Sequence, residues 1–422
     1  MISCKFKKFV IIQFLIILSI SFVKTNAQDI DYIKLSSFEF PSEITFAGKR
    51  IPIEREDVQE RMRIIIWKLT RDPTILMIWK ARNAKFFPLA REIYKEYGVP
   101  LDLLYHFDIE SSWSPYSYSS AKAKGVAQFI KSTGNRFLKI DSMMDERRDI
   151  EESIIASAKY FLELMEDIKD VYCDLAEVEE DNALKVEFVK IGTSSRREFN
   201  AWELVLAAYN SRQTISVINE QKITDFWDGF WSTAEAMEHY PKVLGVKLIM
   251  DDPARYGLNF LINSDLFDNY EYDKLETTIY KQFTFLDLAK ICRTTFYEIK
   301  TLNMGYLIDY FPTGQVTIKM PVGKKVLVKN YLQDNDFFTP NKLALHRSQL
   351  MDAGFDIVES DNYNRATLSY RVKPGNTVTR IVWRLLSIGF KVSVKEVISW
   401  NNLNSKGTIY PGQKLIIYIP NE

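Results

Sequence analysis

The first half of the chain carries a repeated helical pattern of apolar and polar residues. Apolar side chains return at spacings of three and four residues, which places them on one face of a helix. Pro88 suits the first turn of a helical segment, where its missing N–H is not needed. The pattern predicts helices over Val58–Trp79, with a break at Asp72-Pro73, and over Pro88–Tyr97, Leu101–Ser112, Gly125–Phe137, Glu151–Ile168, Ala201–Tyr209 and Tyr240–Met250.

After Asp251 the pattern changes to short β-rich pieces that bracket short helices. The order strand, helix, helix, strand occurs first through "TTIYKQF", "LDLAKICR", "FYEIKTLN" and "QVTIKMP", and again after Asn364. Asn303 and Asn401 end equivalent second helices, so the chain contains an internal repeat of roughly 50 residues. The predicted fold class is therefore multidomain, with an all-α domain followed by small α+β modules of βααβ order.

One carboxylate in the helical half lies on an apolar face. Leu103, Phe107 and Glu110 follow at i, i+4 and i+7 and share that face, whereas Asp108 projects from nearly the opposite side. An acid on an apolar face is paired, protonated or engaged in chemistry. After Glu110 the periodicity ends in Ser, Trp, Pro and Tyr, which indicates that the helix opens into a cleft. On these residues alone Glu110 is either a functional acid or a solvated acid at a helix end, and the solvated acid is the default interpretation.

Composition excludes several function classes. Lys and Arg together number 55, as do Asp and Glu, so no net charge steers the chain towards nucleic acid. Three histidines without a cysteine cluster give little material for a metal site, and we expect no metal and no cofactor. Cys173 and Cys292 are predicted to be unpaired buried thiols, although a disulfide is compatible with an exported protein.

The N-terminal segment has the order of a secretory signal peptide. A basic stretch precedes an apolar run over residues 9–23, and Thr25 and Ala27 suit the −3 and −1 positions of a signal-peptidase site. We predict cleavage after Ala27, the alternative being a retained membrane anchor. Cys4 precedes the run, whereas the acylated cysteine of a lipoprotein follows it. No later run is apolar enough to span a bilayer, so the protein is predicted to be exported to the periplasm or cell envelope and not to be a lipoprotein.

The C-terminal residues resemble a LysM domain, a small βααβ module that binds polymers containing N-acetylglucosamine. The resemblance runs through "YRVKPGNT", "WNNLNS" and "GTIYPGQKLII". The first repeat lacks the Gly-Asn turn and is only LysM-like, so a structural spacer and a sugar-binding module both stand as its interpretation. The resemblance implies that glycan is bound by Gly375, Asn376, Thr377, Asn401, Asn402, Pro411 and Gly412.

The helical half resembles the lytic transglycosylases with a goose-type lysozyme-like catalytic domain, most closely the murein transglycosylase D type. The resemblance rests on "ESSW" from Glu110, "GVAQF" from Gly125, "DERRDIEESIIASAKYF" and "LAAYN", in this order. In that family one acid protonates the glycosidic oxygen, and the 6-hydroxyl of N-acetylmuramic acid attacks its own anomeric carbon to give a 1,6-anhydro product. The resemblance implies Glu110 and Tyr209 as catalytic residues, with Tyr209 orienting Glu110, and Ser111, Gly125, Gln128, Phe129 and Asn210 as substrate-binding residues.

The chain departs from that family at several positions. Ala127 stands where an aromatic residue is usual, Lys122 where glycine is usual, and Arg212 where a small residue follows the Tyr-Asn pair. Trp113 and Tyr116 either stack on sugar rings or pack in the core. The leading hypothesis is an exported lyase that cleaves the β-1,4 bond between MurNAc and GlcNAc. The alternatives are a scaffold that binds peptidoglycan without cutting it and a hydrolytic lysozyme. Peptidoglycan strands are the predicted partner, with no nucleic acid, and we expect a monomer.

Pattern and resemblance together predict the domain limits. A polar insert at 173–200, acidic first and basic later, is interpreted as an excursion or lid beside the helical core. The predicted segments are 1–27 as signal peptide, 28–95 as an N-terminal helical extension, 96–250 as the lysozyme-like domain, 272–323 as a degenerate LysM-like module, 324–366 as a linker and 367–420 as the LysM domain.

Overall fold

The chain forms two compact units, Met1–Glu271 and Tyr272–Glu422. A computed structural model describes residues 38–178, 188–190, 197–199, 201–261, 269–339, 345–358 and 365–420. The predicted signal peptide and most of the predicted insert lie outside these residues. Two short strands of the insert, β3 (Phe188–Lys190) and β4 (Arg197–Phe199), are described and pair antiparallel.

The first strands described in the N-terminal unit form a β-hairpin that the helical pattern did not predict. Strands β1 (Thr45–Phe46) and β2 (Lys49–Arg50) pair antiparallel. Ala47 and Gly48, between them, both have positive φ, at 50° and 80°. Two such residues in succession form the turn that matches the twist of a two-stranded ribbon. The extension predicted over 28–95 is therefore a hairpin followed by helices.

Eight α-helices, among the residues described, build the N-terminal unit. They are α1 (Glu56–Thr70), α2 (Pro73–Tyr97), α3 (His106–Ser111), α4 (Lys131–Gly134), α5 (Ile150–Val178), α6 (Trp202–Asn210), α7 (Gln213–Gln221) and α8 (Ala234–Asp251), with short 3₁₀ helices at Leu101–Tyr105, Glu146–Arg148, Phe226–Asp228, Pro253–Tyr256 and Asn259–Leu261. Helix α8 packs against α1, α3 and α6, and α5 packs against α2 and α6.

The predicted break before α2 is confirmed, and the predicted helix start at Pro88 is wrong. The Asp72 carboxylate accepts hydrogen bonds from the backbone N–H groups of Thr74, at 2.9 Å, and Ile75, and so caps α2. The helix then continues through Pro88 to Tyr97. Phe87 and Ala90, on either side of the proline, are both buried. Their packing offsets the local cost of a proline within a helix.

The predicted helix over Gly125–Phe137 is also wrong, because α4 covers only four residues of it. Gly125 has φ +76°, and a Cβ there would meet the carbonyl oxygen of Arg147 at 1.5 Å. Gln128 is left-handed as well, with φ +50°. The loop conformation is therefore fixed by contacts with a distant part of the chain, which local periodicity does not report.

The C-terminal unit confirms the predicted order of strand, helix, helix, strand in two copies. The first consists of β5 (Asp273–Ile279), β6 (Phe283–Thr284), α9 (Phe285–Cys292), α10 (Phe296–Leu302), β7 (Tyr310–Phe311) and β8 (Gly314–Met320), with β5 antiparallel to β8 and β6 to β7. The second consists of β10 (Arg365–Arg371), α13 (Val378–Ile388), α14 (Val394–Trp400) and β11 (Lys414–Pro420), with β10 antiparallel to β11.

Two asparagines make the same hydrogen bonds in the two copies. The Asn303 amide nitrogen donates to the carbonyls of Ile299 and Lys319, and its oxygen accepts from the Lys319 N–H. The Asn401 amide donates to the carbonyls of Val397 and Ile416 and accepts from the Ile416 N–H. Each asparagine therefore joins the second helix of its copy to the last strand, which supports the predicted repeat.

The segment predicted as a linker contributes secondary structure to both copies. Helix α11 (Lys325–Asp334) packs on α9 and β5 and buries Val328 and Leu332. Helix α12 (Arg347–Asp352) leads into β9 (Phe355–Val358), which pairs antiparallel with β10 and gives the sheet order β11-β10-β9. Leu350 and Phe355 belong to the apolar core of the second copy.

The described residues bear on two further sequence predictions, the unpaired cysteines and the lack of a later membrane-spanning run. Cys292 is a buried, unpaired thiol, as predicted, and burial raises its pKa to about 11. The side chain of Cys173 lies outside the described residues. Within the described part of the chain, no helix has the length and apolar character needed to cross a membrane.

Candidate active site

Helix α3 ends immediately after Glu110 and Ser111. Ser112 and Trp113 are both left-handed, with φ of 53° and 59°. Their N–H groups donate to the carbonyls of Asp108, at 3.0 Å, and Phe107, at 3.1 Å, and so satisfy the last turn of the helix. The chain therefore turns sharply at this point, which leaves Glu110 in the final turn of α3.

Helix α2 anchors this helix end. The indole N–H of Trp79 donates to the Ser112 hydroxyl at 2.9 Å, and Arg82 donates to the Ser112 carbonyl at 2.6 Å. Trp113 is fully buried and stacks on Phe86. The two left-handed residues are thus held by packing, and Trp113, one of two residues considered for sugar stacking, is a core residue.

The Glu110 carboxyl has a single hydrogen-bond partner among the residues described. The ring Nε2 of His239, on α8, lies 3.0 Å from Glu110 Oε1. The Glu110 side chain is 15% exposed and that of His239 is 4% exposed. The residues are 129 positions apart, so no local pattern links them, and His239 is not among the predicted site residues.

Asp108 contacts a different helix and is not solvated. It is buried, and the Asn83 amide of α2 donates to its Oδ2 at 3.3 Å. Burial raises the pKa of Asp108 well above its ordinary value, although the hydrogen bond from Asn83 acts in the opposite direction. Asp108 and Glu110 therefore face different helices, as their positions on opposite faces of α3 predict. The face of α3 that carries Asp108 is buried in the core.

The Tyr209 hydroxyl does not bind Glu110. It donates to the Ala127 carbonyl at 2.9 Å, which fixes the loop that follows α3. Burial raises the pKa of Tyr209 well above its ordinary value, and the nearby charge of Glu110 adds to this effect. Tyr209 is therefore a donor close to Glu110, but the hydrogen bond of the Glu110 carboxyl within the described residues is with His239.

A buried polar cluster lies behind Tyr209. His106 Nδ1 lies 2.6 Å from the Leu103 carbonyl, and its Nε2 lies 3.1 Å from the Ser157 hydroxyl. Ser157 in turn lies 3.1 Å from the Tyr94 hydroxyl. Burial lowers the pKa of His106 to about 3, so this ring is neutral. These bonds join α2, α3 and α5 beneath the candidate site.

The loop between α3 and α4 is fastened by the residues predicted to bind substrate. The Ser111 hydroxyl donates to the Val126 carbonyl at 2.7 Å, and the Gln128 amide nitrogen donates to the Gly125 carbonyl at 2.8 Å. The structure therefore brings Ser111, Gly125 and Gln128 together beside Glu110, in contacts that shape the loop.

The remaining predicted residues occupy different settings. Phe129 is buried, with its ring near those of Tyr160 and Tyr209, so it packs in the core. Asn210 ends α6, and its amide donates to Glu235 of α8 at 3.1 Å. Asn210 is thus tied to the helix that carries His239.

A pocket of about 290 Å³ adjoins this loop. It is lined by Tyr116, Ser117, Tyr118, Lys124 and Arg148. Tyr116 and Tyr118 are 63% and 61% exposed, and the Ser117 hydroxyl donates to the backbone carbonyl of Ser111 at 3.3 Å. Exposed aromatic rings and cations therefore lie next to the end of α3.

The three departures from the expected pattern are each accommodated. Lys122 has φ +64°, a left-handed conformation that favours glycine. Ala127 is buried and accepts the Tyr209 hydrogen bond through its carbonyl. Arg212 pairs with Glu163, at 2.7 Å, and with Asp167, both on α5.

In the last module, several predicted glycan-binding residues have structural roles. Asn376 Oδ1 accepts from the Tyr370 hydroxyl and from the Lys373 N–H, and Thr377 caps α13. With both amide hydrogens and the oxygen engaged, Asn401 is a structural residue. Gly375, Asn402, Pro411 and Gly412 are exposed. Trp383 and Tyr410, which were not predicted as site residues, are each 68% exposed.

Two family models match parts of the chain. The model described as Transglycosylase SLT domain matches residues 88–225. That range contains α3, the loop with Gly125 and Gln128, and Tyr209. The model described as LysM domain matches residues 370–417 and covers the second βααβ copy.

Two curated proteins show how far the similarity extends. The membrane-bound lytic murein transglycosylase D of Escherichia coli (strain K12) is 25% identical over 330 residues, which are 76% of this chain and 61% of that protein. The membrane-bound lytic murein transglycosylase C of Haemophilus ducreyi is 32% identical over 71 residues, which are 17% of this chain and 19% of that protein. The chain thus spans less than two thirds of the length of either relative.

Proposed function

Because the chain contains a transglycosylase SLT domain and a LysM domain, we propose that it is an exported peptidoglycan lytic transglycosylase. It cleaves the β-1,4 bond between MurNAc and GlcNAc and leaves a 1,6-anhydroMurNAc end. The LysM module tethers the enzyme to glycan strands. The signal-peptide pattern of the first residues supports export to the periplasm or cell envelope, without a lipid anchor.

The observation that carries this proposal is the isolation of one carboxyl at the end of α3. Glu110 is partly exposed at the helix end, where the pocket-forming loop begins. Asp108, two residues away, is enclosed in the core beside Asn83. Glycosidases that use two carboxyl groups place both beside the scissile bond. Of these two acids only Glu110 is accessible, and one accessible acid suits a reaction in which the substrate provides the nucleophile.

Glu110 serves as acid and then as base in this scheme. Its carboxyl proton passes to the glycosidic oxygen of GlcNAc as the bond from that oxygen to C1 of MurNAc breaks. The 6-hydroxyl of the same MurNAc forms a bond to C1, and its proton passes to the Glu110 carboxylate. No water is consumed, and the carboxyl is again protonated at the end of the cycle.

The neighbouring residues position the glycan. The loop held by Ser111, Gln128 and Tyr209 forms one side of the site, and its fixed hydrogen bonds reduce the cost of ordering it on binding. The exposed rings of Tyr116 and Tyr118 present flat apolar faces of the kind on which sugar rings stack. Arg148, in the same pocket, suits the carboxylates of peptidoglycan, whereas the Lys124 ammonium is paired with Asp145 at 3.1 Å.

Mass spectrometry of purified sacculi digested by the protein from Gln28 onward tests the proposal. We expect muropeptides that end in 1,6-anhydroMurNAc, lighter by one water than hydrolytic products. Reducing MurNAc ends would identify a hydrolytic lysozyme. Sacculi that bind the protein but release nothing would identify a scaffold.

A further inference from the structure

Helix α8 places one buried histidine directly against the candidate acid. His239 Nε2 lies 3.0 Å from Glu110 Oε1, while its other nitrogen, Nδ1, is buried and has no hydrogen-bond partner among the residues described. The adjacent Tyr240 and the nearby Val243 are completely buried on α8. The ring is therefore held by the packing of α8 rather than by a second hydrogen bond.

The unpartnered nitrogen decides where the ring proton lies. A neutral histidine carries one N–H, either on Nδ1 or on Nε2. A proton on Nδ1 would leave a buried N–H without an acceptor, which is unfavourable. A proton on Nε2 instead donates to Glu110 Oε1. The neutral ring of His239 is therefore the Nε2–H form.

This form leaves the two carboxyl oxygens of Glu110 unequal. Oε1 accepts the His239 N–H, so an acidic proton on Glu110 lies on Oε2. Oε2 makes no hydrogen bond to the described residues. The oxygen that carries the proton is thus the one available to a substrate.

We infer that His239 is a positioning residue for Glu110, which holds Oε1 and directs the proton-bearing Oε2 into the cleft; this rests on the proposed function. His239 does not exchange a proton with the glycan. Its contribution is geometric, because a misplacement of about 1 Å at a reacting group can cost on the order of 10²-fold in rate.

Two substitutions separate this role from packing. His239→Gln keeps an amide N–H at about the position of Nε2–H, whereas His239→Phe keeps a ring of similar size without a donor. Rates are measured as anhydro-product formation from a soluble peptidoglycan glycan. We expect kcat to fall about 10–100-fold in His239→Phe with KM nearly unchanged, and to stay within about threefold of wild type in His239→Gln. Wild-type kcat in the Phe variant, or equal losses in both variants, would overturn the inference.

Long-range ¹H–¹⁵N NMR of the histidine rings supplies a readout that does not need activity. The chain has three histidines, and the His239→Gln variant assigns the ring of interest by its missing signal. We expect a protonated Nε2 and an unprotonated Nδ1. A proton on Nδ1 would overturn the inference whatever the activity of the variants. Failure of the proposed function has a different signature, since wild-type protein would then give no anhydro product while the ring keeps the Nε2–H form.

Discussion

Glu110 and Asp108 lie two residues apart on α3 but are enclosed by different helices. Glu110 is held by His239 of α8 and remains partly exposed, whereas Asp108 is buried against Asn83 of α2. A protein interior favours the neutral form of an acid most strongly where no solvent remains. We therefore propose proton transfer for Glu110, whereas Asp108 is a core residue.

Replacement of Glu110 by glutamine should abolish cleavage while glycan binding persists. Glutamine keeps the size of the side chain and a carbonyl oxygen that accepts the His239 N–H, but it cannot exchange a proton. We expect a loss of at least ~10²–10⁴-fold in anhydro-product formation, which is typical of one proton-transfer group. Release of muropeptides from sacculi measures the rate, and co-sedimentation measures binding.

The matched control is Glu166→Gln on α5, an exposed acid paired with Lys169. It removes the same charge away from the cleft and should leave the rate within a few-fold of wild type. If Glu110→Gln cleaves as fast as this control, the assignment of Glu110 as general acid fails.

Replacement of Asp108 by asparagine should stabilise the protein at neutral pH. Burial raises the folded-state pKa of Asp108, so the folded state binds this proton more tightly than the unfolded state. Wild-type stability therefore falls as the pH rises above the ordinary value of 3.8, and Asp108→Asn escapes that loss. The difference in free energy of unfolding between Asp108→Asn and wild type should be absent below the ordinary pKa. Above it, the difference should grow by at most ~1.4 kcal/mol per pH unit until the pH reaches the folded-state pKa. Urea unfolding at several pH values measures it.

Asp57→Asn gives the opposite sign as a control. Hydrogen bonding with Arg55 lowers the pKa of Asp57, so its loss cannot stabilise the protein as the pH rises. Asp108→Asn should also leave glycan cleavage nearly unchanged. A fall in rate as large as that of Glu110→Gln would instead support a hydrolase with two carboxyl groups.

At this scale the sequence indicated the acid but not its partner. Glu110 could be recognised from the sequence because the helical period places it on an apolar face with Leu103 and Phe107. His239 could not be recognised from the sequence, because its contact with Glu110 depends on how α8 packs against α3. A single histidine in a helix gives no local indication of such a contact. Tyr209 lies near Glu110, but its hydrogen bond to the Ala127 carbonyl depends on the loop conformation, which the sequence pattern does not report.

Among the elements, amphipathic helices were predictable and the loop at the active site was not. Helix α5 follows the apolar period over much of its length, because that period is produced by burial of one face. Helix α6 is instead buried at every position from Glu203 to Tyr209. The stretch from Gly125 to Phe137 has helical spacing but contains two left-handed residues, Gly125 and Gln128, and the Arg147 carbonyl lies directly against Gly125. A contact with a distant residue overrides local preference there, and the site depends on that exception.

The unpredicted hairpin is joined to the helical core by a buried charge. Lys49 lies against Glu203 of α6 and 3.1 Å from Asp225, and both Lys49 and Glu203 are buried. Burial alone would lower the pKa of Lys49, but attraction to Glu203 and Asp225 raises it overall. Removal of one partner of a buried pair leaves an uncompensated charge, which costs about 3–5 kcal/mol.

We therefore expect Lys49→Met to destabilise the N-terminal unit by ~3–5 kcal/mol. Tryptophan fluorescence during urea unfolding reports mainly on this unit, since only Trp383 and Trp400 of the eight tryptophans lie outside it. The comparison is Lys68→Met, which breaks a partly exposed pair with Glu238 and should cost ~0–1 kcal/mol. Equal small effects of both changes would show that the hairpin is not anchored by its charge.

Across the whole molecule, the order of strands and helices predicted the repeat. It did not predict the helix and the strand that precede the second copy. Strands and helices of both copies have recognisable short patterns, and Asn303 and Asn401 mark equivalent positions. Helix α12 and strand β9 fall in a stretch that lacks a strong period, yet Leu350 and Phe355 complete the core of the second copy. We propose that the LysM module takes in residues 345–358 in addition to the predicted 367–420.

A fragment of residues 345–420 should therefore fold and bind peptidoglycan, whereas a fragment of residues 373–419 should not fold. The shorter fragment lacks β10, which pairs with both β9 and β11 and lies at the centre of the sheet. Without it, the apolar faces of α13 and β11 have no strand to cover them, and a module of this size has little stability to lose. Circular dichroism measures folding, and co-sedimentation with sacculi measures binding. The control is the full chain, which should pellet with the same sacculi. A folded 345–420 fragment that stays in the supernatant while the full chain pellets would place the glycan affinity outside the LysM module.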